Sequence, residues 1–229
     1  MDCGFGLRET ERRLSRLGLQ PAQLDGIVVT HEHGDHVSGV ARLARRYDIP
    51  VWATHGTLRA QVALPVGGRL VEIHPDVPFA IGDLQLTPYA VPHDALEPVQ
   101  YVFSNGAHRL GVLTDAGHIT PHIEATLQGL DALVLECNHD VDLLARGRYP
   151  LSLKRRVGGS YGHLSNAQAA DLLDRIGQGR LQHLVAAHLS RENNTAELAV
   201  AALAAVLGCG QEWVGVASQE AGLDWRLIS

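Results

Sequence analysis

The run Ile27-Val28-Val29-Thr30 passes without a break into His31-Glu32-His33-Gly34-Asp35-His36, and no other stretch restricts the possible folds so tightly. Four consecutive β-branched residues suit a strand buried on both faces, the situation of a parallel sheet covered by helices. The same grammar recurs along the chain. His93 follows Leu86 to Val91, Asp115 follows Leu110 to Thr114, and His188 follows Leu181 to Ala187. In α/β folds ligand sites are built beyond the carboxyl ends of such strands, so four apolar runs that each end in a polar donor point to one site assembled from strand ends.

The remaining pattern agrees with an α/β class. Leu7, Leu14 and Leu17 share a helical face that stops at Gly18, and helical spacing returns over Val37, Val40, Leu43, Ala44 and Tyr47 until Pro50 breaks it ahead of Val51-Trp52-Ala53. Residues 66 to 114 read as strands, with Leu70 to Ile73, Leu84 to Val91, Val99 to Ser104 and Leu110 to Thr114 set apart by Gly, Pro and Asp/Asn signals. Leu133 to Leu135 is a further strand, and residues 146–164 read as polar loop. Ser165 to Gln168 forms a capping box before the stripe Ala169, Leu172, Leu173 and Ile176. Asn194 to Glu197 caps a last helix that ends at Gly208, and Leu223 to Ile228 is expected to close a sheet. With no linker or repeat, one α/β domain over residues 1–229 is expected.

Composition removes several classes. At 45% hydrophobic and 19% charged residues the chain is neither disordered nor fibrous. It holds no apolar run long enough for a membrane span, and Met1-Asp2-Cys3-Gly4 lacks the character of a signal peptide, so a cytoplasmic location is expected. Cys3, Cys137 and Cys209 form no CxxC pair, which argues against a disulfide framework or a thiolate zinc site. A net charge of −6 argues against a broad electrostatic grip on nucleic acid.

Within the six positions of the hexapeptide His31, His33, Asp35 and His36 are four candidate metal ligands. Imidazole and carboxylate donors suit zinc, manganese or iron, and a sharp turn at Gly34 could aim His31 and His33 at one ion, Asp35 and His36 at another. His93, Asp115 and His188 are the candidates for completing both.

HxHxDH followed by a histidine, an aspartate and a last histidine resembles the metallo-β-lactamase superfamily. The resemblance implies the αβ/βα four-layer sandwich, with His31, His33 and His93 on one ion, Asp35, His36 and His188 on the other, and Asp115 bridging. It also implies that the N-terminal strands are lacking, because the family's Asp-x-Gly turn stands here at Asp2-Cys3-Gly4; an uncovered edge or apolar face would then favour a homodimer. Leu135-Glu136-Cys137-Asn138-His139-Asp140, Gly162-His163-Leu164-Ser165-Asn166 and the segment from Ala187 to Asn194 are similar to the WalJ group of exonuclease-like proteins. They are similar also to tRNase Z, in which a glutamate after a buried strand orients a histidine ahead of a helix.

By that resemblance Glu136 orients His163 as proton donor to the leaving oxygen of a phosphodiester, and Asp35 completes the catalytic set. A hydroxide between the two ions is the expected nucleophile. Asn138, His139, Lys154, Arg155 and Arg156 are the expected substrate contacts, the basic residues serving backbone phosphates together with Arg146 and Arg148. The resemblance to WalJ implies a 5′ to 3′ preference on DNA. Two other readings stand beside it: a hydrolase of small esters, thioesters or lactones, and a metal-stabilised regulatory module without catalysis.

Overall fold

The computed structural model describes residues 1–60 and 69–229, so that positions 66–68 of the strand-like region lie outside the described residues. Two compact units emerge: Met1–Ala90 with Ala95–Val99, and Val91–Asp94 with Gln100–Ser229.

In the first unit α1 (Leu7–Arg16) precedes β1 (Ile27–Val28), α2 (Gly34–Val37), α3 (Val40–Tyr47), β2 (Val51–Thr54), α4 (His55–Ala60) and β3 (Leu70–Ile73). The three strands pair in parallel, in the order β1-β2-β3. An antiparallel hairpin of β4 (Phe79–Ile81) and β5 (Leu84–Ala90) follows, with Phe79 opposite Leu86. Ile27, Val29, Val40, Leu43, Val51 and Ala53 form the core. The helix expected over 37–47 is interrupted after Val37. Gly39 donates its N–H to Cys3 O (2.7 Å), and a Cβ at that position would overlap the Phe5 carbonyl. The N-terminal segment thus crosses the helix at a point that only glycine leaves open. Asp48, at φ 54°, ends α3 in the left-handed region.

The second unit holds β6 (Val99–Ser104, its first residue in the other unit), β7 (Arg109–Leu113), α5 (Pro121–Thr126), β8 (Ala132–Glu136), α6 (Val141–Arg146), α7 (Leu151–Val157), α8 (Asn166–Arg175), β9 (His183–Ala187), α9 (Ala196–Leu207) and β10 (Val214–Val216). Strands β10-β9-β8-β7 run parallel, while β6 is antiparallel to β7. Leu113, Leu133, Leu135, Leu172, Leu184 and Leu203 are fully buried. Burying such side chains at about 25 cal/mol per Å² of apolar surface supplies the main stabilisation. Register fixes what matters for chemistry: Leu113 lies opposite Leu135, and Glu136 opposite Ala187. The carboxyl ends of β7, β8 and β9 therefore stand side by side, which makes neighbours of Asp115, Glu136 and His188.

Two sequence expectations change. Residues 146–164 are not all loop, since they contain α7, none of whose residues is buried. Leu223 to Ile228 forms no strand; Val214–Val216 pairs with β9 instead, and the tail is tied by Gln182 Nε2 donating to Ser229 O (2.7 Å). The capping box holds, with Ser165 Oγ accepting from Gln168 N–H, and Gly208 closes α9 at φ 61°. Among the described residues no helix is long and apolar enough to cross a membrane.

Candidate metal centre

In the first unit the donors sit where β1 ends and α2 begins. Asp2, held at φ 52°, bonds its N–H to Val28 O (2.8 Å). Its Oδ1 accepts from Thr30 N–H (2.8 Å) and its Oδ2 from Thr30 Oγ1–H (3.1 Å). With that hydroxyl proton committed, Thr30 Oγ1 can only accept from His31 Nδ1–H, 2.9 Å away. His36 Nδ1 lies 3.0 Å from Asp2 Oδ2. Both rings thereby carry their proton on Nδ1 and their lone pair on Nε2, which leaves Nε2 free to ligate a metal. His31 Nε2 stands 3.0 Å from His33 Nδ1, and the His31 and His36 ring centroids are 4.1 Å apart. Asp35 is exposed.

Asp2 and Thr30 act in this network although neither belongs to the candidate residues of the sequence, whose one signal for them is the Asp2-Cys3-Gly4 turn. Gly4 is what lets that turn close, since a Cβ there would overlap the Asp35 carbonyl oxygen. Gly4→Ala is expected to lower stability by about 2–3 kcal/mol, a fall in Tm of roughly 5–10 °C, with weakened metal retention. Thermal unfolding with metal analysis checks this; unchanged values for both would show that the turn does not lock the hexapeptide.

In the second unit Asp115 and His188 follow β7 and β9 at φ 55° and 57°. Residues other than glycine held in this region cost about 1–3 kcal/mol and gather at functional sites. Asp115 Oδ1 lies 3.8 Å from His93 Nε2, 3.6 Å from His188 Nε2 and 3.7 Å from His163 Nδ1. Asp115, Glu136, His163 and His188 each offer an atom within 4.8 Å of the others. Burial lowers the pKa of His93 against the opposing pull of Asp115, favouring the neutral ring that coordinates metals.

Glu136, completely buried at the end of β8, organises this half. Its Oε1 accepts from His163 Nδ1 (2.9 Å) and from His188 Nδ1 (2.8 Å); its Oε2 accepts the N–H groups of Ala116 (3.1 Å) and Leu164 (3.0 Å). Burial alone would raise its pKa, but the hydrogen bonds from His163 and His188 reverse that and hold the carboxylate ionised far below its usual range. The bond to His188 adds a second partner to the one expected from the sequence, His163. His163 is suspended from α7 through its N–H to Val157 O (2.8 Å).

Of the expected substrate contacts, Asn138 Nδ2 donates to His188 O (3.1 Å). His139 is 3% exposed, and its buried Nδ1 has no partner among the described residues. Lys154 Nζ donates to Ala145 O (2.6 Å) and Arg156 Nε to Asp94 Oδ2 (2.6 Å), while Arg155 is exposed. Two of the three cations of α7 thus already hold internal partners.

The donor chemistry fits divalent cations. Ligand bonds of about 2.0–2.1 Å in a tetrahedral site leave neighbouring ligand atoms about 3.3 Å apart. The separations within each unit, 3.0 Å between His31 and His33 and 3.6–3.8 Å around Asp115, bracket that value.

Residues 1–188 match the family described as Beta-lactamase superfamily domain. Exodeoxyribonuclease YycJ of Bacillus anthracis is 37% identical over 211 residues, covering 90% of this chain and 80% of that protein. Exodeoxyribonuclease WalJ of Streptococcus pneumoniae is 32% identical, covering 87% and 76%. Among solved structures, the metallo-β-lactamase fold protein YhfI from Bacillus subtilis superposes with TM-score 0.75 at 19% identity, over 98% of this chain and 85% of that one. The short form of human tRNase Z superposes with TM-score 0.58 at 17% identity, over 83% and 81%.

Proposed function

The chain belongs to the metallo-β-lactamase superfamily, and from that premise we propose that it is a two-metal phosphodiesterase that degrades DNA from an end, in the 5′ to 3′ direction. His31, His33 and His93 would hold one cation, Asp35, His36 and His188 a second, and Asp115 both. Zinc and manganese suit these donors. When bound, the cations supply Lewis acidity toward the phosphate and lower the pKa of a coordinated water.

The residues of the chain then have separate tasks. Asp2 and Thr30 fix the tautomers of His36 and His31, and Glu136 does the same for His188. Glu136 also holds His163 by Nδ1, which leaves Nε2 for the substrate. From Nε2–H a proton passes to the leaving oxygen. The His163 side chain is 22% exposed, so the ring is reachable from solvent. His139 is a further contact to the strand.

The observation that carries the reading is the shared carboxylate oxygen. Glu136 Oε1 serves a ligand-type histidine and a second, partly exposed histidine at once, an arrangement that a metal-binding role alone does not require. The test is degradation of 5′-labelled single- and double-stranded DNA and RNA by wild type and His33→Ala, with manganese or zinc and with chelator. Mononucleotide release from DNA by the metal-loaded wild type alone is expected. A metal-loaded wild type that leaves every polymer intact would sink the nuclease reading in favour of a small-substrate hydrolase.

A further inference from the structure

Resting on the nuclease reading, we propose that Tyr161 is the stacking platform for a nucleobase of the strand whose phosphodiester reaches His163, and that it sets affinity for the strand end without reading its sequence.

The ring is 62% exposed, and among the described residues neither it nor its hydroxyl has a partner. Its backbone, in contrast, is clamped. Tyr161 O accepts the N–H of Asp94 (3.1 Å), and the preceding Ser160 carbonyl lies where a Cβ on Gly117 would be. On the other side Gly162 N–H is bonded to Gly159 O (2.9 Å) and His163 N–H to Val157 O (2.8 Å). A large aromatic side chain is therefore presented from a fixed support yet contributes little to the core.

Two residues of chain span at most about 7 Å, so the Cα atoms of Tyr161 and His163 are no farther apart than about one nucleotide step. Exposed Arg155 stands on the same helix, α7, from which His163 is suspended. An enzyme that proceeds along a strand must accept every base it meets. Hydrogen bonding to base edges would discriminate among them, whereas each base offers a π-face, and stacking on an aromatic ring is sequence-tolerant.

Steady-state kinetics on a single-stranded oligonucleotide, and on the same strand with an abasic terminal nucleotide, test this. Tyr161→Ala is expected to raise KM on the intact strand roughly ten- to a hundredfold with kcat little changed. Tyr161→Phe and Tyr161→Trp should restore it, because the ring acts and the hydroxyl does not. On the abasic strand wild type and Tyr161→Ala should be equally weak. Equal losses on both strands, a Phe variant as impaired as Ala, or no loss at all would overturn the stacking role while leaving the nuclease reading intact. Absence of strand cleavage by wild type would overturn both.

Discussion

Replacing His163 with alanine is expected to lower kcat on a DNA strand by about 10²- to 10⁴-fold, the usual range for loss of a general acid, while the metal content of the purified protein stays as in wild type. The fold should survive, because the bond that suspends this turn uses the backbone N–H of His163 and not its ring. A substrate whose leaving group is stable as an anion, such as bis-p-nitrophenyl phosphate, needs no proton and should lose much less. Turnover on both substrates together with metal analysis separates the possibilities. His163 Nδ1 is only 3.7 Å from Asp115 Oδ1, so a parallel fall in metal content and turnover would make it a ligand.

Glu136→Gln should behave differently and lose both properties. The carboxylate accepts four hydrogen bonds, two on each oxygen. An amide offers one oxygen only. If that oxygen faces His163 and His188, the NH₂ meets the N–H groups of Ala116 and Leu164; if it is reversed, the NH₂ meets the two imidazole donors. Either way two buried donors lose an acceptor, at about 1–3 kcal/mol each. The negative charge that faces the His163 ring disappears too. We expect metal affinity to fall about 10- to 100-fold, as for other partners of metal-ligating histidines. The loss in kcat should be at least that of His163→Ala. Denaturant unfolding, metal titration and turnover on one preparation check the three effects. Normal metal affinity with reduced turnover would confine Glu136 to His163.

The contrast between these variants also shows where sequence reading reaches its limit. Strand ends are legible, since a β-branched run announces a buried strand and a histidine or aspartate directly after it stands out against the apolar background. Leu70–Ile73 and Val99–Ser104 have the expected boundaries, and the box at Ser165 to Gln168 is a local motif with a local cause. Helix α7 is invisible to such reasoning because it buries nothing and so has no stripe. Val214–Val216 is too short, with Gly215 at its centre, to compete with the longer segment from Leu223 to Ile228. Bonds that join distant positions leave no spacing signature. Asp2 reaches Thr30 and His36 across 28 and 34 residues, and Glu136 reaches His188 across 52. A family resemblance can suggest one such partner, but the second duty of Glu136 emerges only from geometry.

The parallel order of β7, β8 and β9 has a kinetic side. Parallel neighbours must be joined by crossovers, here through α5 and then through α6, α7 and α8. Such non-local pairing forms late and slowly, after the entropy of long loops has been overcome. A chain leaving the ribosome therefore presents the six residues from His31 to His36 as a ready local chelator, whereas Asp115, Glu136 and His188 become neighbours only once three strands have paired. A cation captured early by the hexapeptide would stabilise the unfolded chain as well as the native one, and only ions bound after the sheet closes would act wholly in favour of folding. Refolding yield should accordingly depend on when metal is added, and not only on how much.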